Sequence, residues 1–176
     1  MDIKKAINCI LIATMITFFS ACSSIPGGAA AVSPFKKEKY LGKWYEIARF
    51  DYRFERDLNN TTAEYSLKEN GKIKVVNQGY NYVKKKWTKA IGKAKFAKDE
   101  NTGMLKVSFF GPFYSGYNVI SLEGDYQYAL IAGSSLDYLW ILSKEKSIPE
   151  NVKSKFIAKA QEIGYDTQKL IWVKHD

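Results

Sequence analysis

Between residues 44 and 143 the chain alternates apolar and polar positions in short runs, each ended by turn-forming residues. Met104–Phe110 shows the pattern most cleanly, with Leu105, Val107 and Phe109 on one face and Lys106 and Ser108 on the other. That period of two belongs to a strand with one buried side. Similar β-rich runs occupy Trp44–Phe50, Thr61–Leu67, Lys72–Tyr82, Trp87–Ala97, Tyr117–Leu122, Tyr126–Ala132 and Tyr138–Ser143. Asn70-Gly71, Asp99–Gly103, Gly111–Gly116, Gly124-Asp125 and Gly133–Ser135 separate them, and Asn-Gly is the strongest short hairpin signal. Eight strands with short links predict an up-and-down antiparallel sheet, and closing it into a barrel removes edges that would invite aggregation.

The period then changes. Val152, Phe156, Ala160 and Ile163 form one apolar stripe at helical spacing, with Lys153, Lys155 and Lys159 off it. Ser147 and Glu150 are spaced as a capping box, Pro149 suits a first turn, and Gly164 suits the stop. The stripe predicts a helix laid on the outside of the sheet. Lys169–Lys174 reads as a last short strand. The fold class is therefore all-β with one C-terminal helix, an eight-stranded up-and-down antiparallel barrel.

The first residues are of another kind. Lys4 and Lys5 precede a mostly apolar Ala6–Phe19, too short for a permanent span of about 20 residues. The stretch ending Phe19-Ser20-Ala21-Cys22 resembles the lipobox of bacterial lipoproteins, with Phe where Leu is usual. That resemblance implies a signal peptide over 1–21 and an acylated Cys22 as the first mature residue. Several acyl chains at about 0.8 kcal/mol per buried CH₂ give stable anchoring. Ser23 after the cysteine implies sorting to the outer membrane. Residues 22–34, the lipidated Cys and an uncharged Pro/Gly-bearing stretch, read as a flexible tether; the domain proper is 35–176. Cys9 falls in the signal, so the mature chain has no second cysteine for a disulfide.

Composition narrows the chemistry. The single histidine, His175, is penultimate, where chains fray, so a Ser-His-Asp or Cys-His constellation has no base. Metal sites lack His and Cys ligands, no phosphate-cradling glycine loop occurs, and no cofactor is implied. Glu46, Asp51, Glu55 and Glu64 cluster in sequence, but such carboxylates are expected as solvated surface charge. The formal charge of +9 and the run Lys84-Lys85-Lys86 raise nucleic acid as a partner, which export to the envelope disfavours. The lysine run reads as a solvated hairpin tip, or as a contact for anionic headgroups. What remains is a non-enzymatic, aromatic-rich barrel, and eight strands enclose room for one small ligand.

Three blocks carry a family likeness. Gly42-Lys43-Trp44 resembles the lipocalin GxW signature, Gly124-Asp125-Tyr126 its second block, and Tyr138–Lys144 (YLWILSK) its third, with the helix following. The runs YEIARFDYRFER and KVSFFGPFYSGYNVI resemble the bacterial outer-membrane lipocalins, on the branch of apolipoprotein D and plant temperature-induced lipocalins. The resemblance spans 35–174. It implies a calyx for fatty acids or lysophospholipids, in envelope lipid storage, transport or repair, and leaves a homodimer open. By position it places Tyr114 and Trp140 in the cavity wall. If Trp140 points in, alternation adds Tyr138 and Leu142 and turns Ile141 outward; Val107, Phe109, Ala94 and Phe96 are further candidates. The family's third block ends in an arginine over the GxW tryptophan, and here Lys144 stands there, so Lys144 or another arginine such as Arg49 takes that role. A rival reading is a targeting or structural envelope factor that binds acylated proteins, which a longer, open half-barrel would suit.

Overall fold

The structure, a computed structural model, describes residues 24–176; the proposed signal peptide and Cys22 lie outside them. A one-turn helix α1 (Lys37–Tyr40) leads into β1 (Gly42–Phe50), β2 (Leu58–Leu67), β3 (Ile73–Asn81), β4 (Lys86–Phe96), β5 (Met104–Phe110), β6 (Phe113–Glu123), β7 (Tyr128–Ala132) and β8 (Leu139–Ser143). Helix α2 (Glu150–Ile163), a 3₁₀ turn (Thr167–Lys169) and β9 (Leu170–Trp172) finish the chain.

Each strand from β2 to β8 pairs antiparallel with the next, β8 pairs with β1, and β1 pairs back onto β2, so the barrel closes. A bulge between Glu46 and Ala48 divides β1. Below it Gly42–Tyr45 pair with β2, and above it Ala48–Phe50 pair with β9. An extra residue bends a strand and raises its twist, which lets one strand serve both partners.

Two apolar cores result. Inside the closed end lie Trp44, Phe35, Tyr40, Leu105, Val119 and Ile131; outside, α2 lays Phe156 and Ala160 on Ile47, Ile120, Leu130 and Ile141. The turned-out Ile141 and the helix on the sheet's outer face agree with the alternation and the apolar stripe.

Local details differ from the sequence reading in three places. Helix α2 starts at Glu150 with Pro149 at the N-cap and no side-chain cap. Ser147 instead stays in the turn after β8, where its carbonyl accepts from Ser143 Oγ at 2.9 Å; extended Pro149 ends that turn and starts the helix. The tether stretch is docked over its described part. Val32 N donates to Val119 O at 2.8 Å, Gly103 N donates to Val32 O at 2.9 Å, and Phe35 is buried. A side chain at Gly103 would come within 2.9 Å of Val32, so that glycine is what admits the segment. The C-terminus is tied down as well: His175 Nε2 lies 2.8 Å from Glu46 O, and Asp176 N donates to Asn60 Oδ1 at 2.9 Å.

Candidate ligand-binding cavity

The signature blocks meet at the closed end. Gly42 adopts φ 91°, a left-handed conformation that a side chain would strain, and so turns the chain from α1 into β1. Trp44 follows, fully buried, its indole N–H donating to Tyr40 O at 2.7 Å. Lys144 Nζ sits 4.1 Å from the Trp44 ring centre and donates to Leu41 O at 2.8 Å. Lys144 thus occupies the arginine's place as a cation on the ring, and burial pushes its ammonium down to about 8. Arg49 is committed elsewhere. The second block clasps the first: Lys39 pairs with Asp125 at 2.6 Å, and Tyr126 Oη accepts from Lys36 N at 2.7 Å.

Above this plug the barrel holds a cavity of about 500 Å³. Its floor is a phenol chain, with Tyr65 donating to Tyr117 at 2.8 Å and Tyr117 lying 2.5 Å from Tyr40. Burial pushes all three phenols above their ordinary range, so they stay neutral donors and acceptors. Ala63, Val75 and Leu142 fill the wall above, and Phe54, Phe109, Phe110 and Phe113 ring the upper part. Phe110 and Phe113 are strongly exposed.

Of the residues named from sequence, Trp140, Tyr138, Leu142, Val107 and Phe109 line this cavity. Trp140 stacks on Tyr138 with ring centres 6.1 Å apart, and its N–H donates to Glu55 Oε2 at 3.0 Å. Tyr114 does not line it. On β6, Phe113, Ser115 and Tyr117 point in, so by the period of two Tyr114 points out, where Lys95 and Lys93 lie 4.7 and 5.7 Å from its ring. Ala94 and Phe96 lie lower, in and against the closed-end core; Phe96 meets Phe35 edge-on at 6.2 Å.

The larger surprise is polar. Glu46 is 5% exposed rather than solvated, and with Glu55 it faces the cavity. Glu46 Oε1 accepts from Arg49 Nη1 at 2.6 Å, and Arg49 Nη2 donates to the carbonyls of Glu55 (2.7 Å) and Leu58 (3.0 Å). Arg49 therefore holds down the β1–β2 loop that carries Glu55. Burial, then the charge of Glu55, push Glu46 up to about 8 against the pull of Arg49. Burial also raises Glu55, against the Trp140 hydrogen bond and Arg49. Alternation counted from an inward Trp44 would have put Glu46 inside. Glu55 sits in a loop, where no period applies.

A closed eight-stranded barrel with GxW at the first strand, a cation on that tryptophan and an internal cavity defines a class of binding protein. The chain belongs to the lipocalin family: the Lipocalin-like domain family matches residues 35–175. It is similar to the outer membrane lipoprotein Blc of Citrobacter freundii, 53% identical over 156 residues, 88% of each chain. Blc of Escherichia coli K12 is 49% identical over 92% of this chain and 93% of that protein. Temperature-induced lipocalin-1 of Arabidopsis thaliana is 37% identical over 76% and 75%. Insecticyanin from the tobacco hornworm Manduca sexta shares the fold at a TM-score of 0.70, with 20% identity over 88% of each chain. Membership of this family marks the chain as a binding protein rather than an enzyme.

Proposed function

We propose that this lipocalin holds a fatty acid or lysophospholipid in its barrel while anchored to the outer membrane through acylated Cys22, serving envelope lipid storage, transport or repair. The cavity carries the reading: its apolar wall of phenylalanines, Val75, Val107 and Leu142 suits an alkyl chain. The space of about 500 Å³ falls within the roughly 300–1,000 Å³ of small-molecule pockets. The pairing of β1 with β2 closes the sheet, which supports this reading over a carrier of acylated proteins in an open half-barrel. The similarity to proteins named outer membrane lipoproteins supports the anchor. No described helix is long and apolar enough to cross a membrane.

Native mass spectrometry of the chain from Ser24 with fatty acid, lysophospholipid and diacyl phospholipid tests the reading. One bound single-chain lipid per barrel is expected; no bound lipid and unchanged tryptophan fluorescence would refute it. Trp140→Ala should weaken single-chain lipid binding about tenfold, a loss of about 1.4 kcal/mol of contact, with the barrel still folded; equal affinity by fluorescence titration would remove Trp140 from the site. Cys22→Ala should move the protein from the membrane pellet to the soluble fraction, and retention in the pellet would mean that something other than acylation holds it.

A further inference from the structure

An apolar ligand needs only apolar walls, yet one side of this cavity is built of hydrogen-bond acceptors. Glu46 on β1 and Glu55 on the following loop both face it. Thr61 on β2 is 3% exposed and lines the same space, with its Oγ1 unpartnered, and so does the unpartnered Asn77 Oδ1 on β3. Buried polar atoms without partners are costly, and two residues that carry them in one cavity wall beside two carboxylates mark a place where a ligand supplies donors. Arg49, the nearby cation, is not part of the cavity lining: its Nη1 donates to Glu46, its Nη2 to two carbonyls, and its Nε is buried in the wall without a protein partner. Aromatic faces complete the surroundings: Trp140 stacks on Tyr138, and Tyr52 meets Tyr138 at 5.0 Å. Carboxylates ringed by aromatic faces recognise ammonium groups.

We propose that Glu46, Glu55, Thr61 and Asn77 form an internal ammonium site beside Trp140, and that the cavity prefers a single-chain amphiphile with a primary amine head over a free fatty acid. This rests on the lipid-binding reading and selects within it. A fatty acid carboxylate placed here meets two carboxyl groups against one committed guanidinium. A primary amine meets acceptors on β1, β2, β3 and the β1–β2 loop.

The site predicts its own pH dependence. With Glu46 pushed up to about 8 by burial and by Glu55, an arriving ammonium favours the ionised carboxylate, so amine affinity tightens as pH rises toward that value. A carboxylate head shows the reverse. The other charged or titratable groups around Glu46 and the cavity are Arg49, Glu55, the neutral phenols Tyr65 and Tyr117, Tyr52 and Tyr138 near the mouth, exposed Lys89 on β4, and His175 against the Glu46 carbonyl. Comparison with a Glu46→Gln variant isolates the contribution of Glu46.

The test uses the chain from Ser24, which contains every strand and both cores, with three probes of equal length: dodecylamine, dodecanol and laurate. Tryptophan fluorescence titration at pH 8 should show dodecylamine binding at least tenfold tighter than laurate, with dodecanol between them. Between pH 6 and pH 8 the amine should tighten and laurate weaken. Glu46→Gln with Glu55→Gln should bring amine and laurate within about threefold, and circular dichroism should show the same β signal as the wild type. Laurate binding as tightly as the amine in the wild type would overturn the ammonium site while leaving lipid binding intact. A full amine preference in the double variant would overturn it too. If none of the three bound, this inference would fall, and the lipid reading would fall with it only if lysophospholipid also failed to bind.

Discussion

Replacing Trp44 with alanine should cost about 3–5 kcal/mol of folding stability, the loss typical of a large aromatic removed from a packed core. Trp44 is fully buried between Tyr40, whose ring centre lies 4.8 Å away, and Lys144 at 4.1 Å. Its loss opens a void at the closed end, leaves the Tyr40 carbonyl without the indole donor, and strips a partly buried ammonium of the ring that faces it. A domain of this size has about 5–15 kcal/mol in total, so the variant should unfold at much lower urea. Trp172→Ala makes a fair comparison, because Trp172 is 42% exposed and lies under Lys153; it should cost less than about 1 kcal/mol. Urea titrations followed by circular dichroism measure both. A loss below about 1.5 kcal/mol for Trp44→Ala would mean that the plug relaxes into the void and that the GxW tryptophan is not the keystone of the closed end.

The strands were legible because both their signals are local. Alternation within Met104–Phe110 and turn chemistry at Asn70-Gly71 act over a few residues, and the observed β5 has the expected bounds. What could not be read locally was parity after an irregularity. The family resemblance places Tyr114 in the wall, but after the tight Gly111-Pro112 link the alternation of β6 sets it on the outer face beside Lys95. Glu46 was readable, since it stands two residues after Trp44 with no bulge between them. Against that parity stands the ordinary preference of a carboxylate for the surface. Its burial depends on Arg49 across the bulge and on a loop arginine bonds hold down, partners that composition does not reveal. Distance in sequence also hid the docking of Val32, which needs Gly103 and Val119 brought together by the closed sheet.

The burial of Glu46 beside Glu55 should make stability fall as pH rises, against the pull of Arg49. Glutamate titrates near 4.5 when unfolded and near 8 in this site. Between those values the folded protein holds a proton that the unfolded chain has released, so each step up in pH favours the unfolded state. The stability tied to a neutral Glu46 is complete below about 4.5 and is lost as pH passes through about 8. Arg49→Met should sharpen this. Without the guanidinium the Glu46 carboxyl moves higher still, and above pH 8 the variant must either bury an unpaired charge or hold a proton against the solvent. Breaking a buried pair from one side costs about 3–5 kcal/mol, and that loss is expected at pH 9. At pH 5, where Glu46 is neutral in both proteins, the loss should shrink to about 1–2 kcal/mol, from the bonds to the Glu55 and Leu58 carbonyls. Glu46→Gln added to Arg49→Met should shrink the difference between pH 5 and pH 9, because the carboxyl paired with Arg49 is gone and only the more distant Glu55 still titrates beside it. Urea midpoints for the three proteins at the two pH values decide it. An Arg49→Met loss of equal size at pH 5 and pH 9 would show that Arg49 acts on the loop carbonyls alone, and that its pairing with Glu46 contributes little to how the barrel mouth is held.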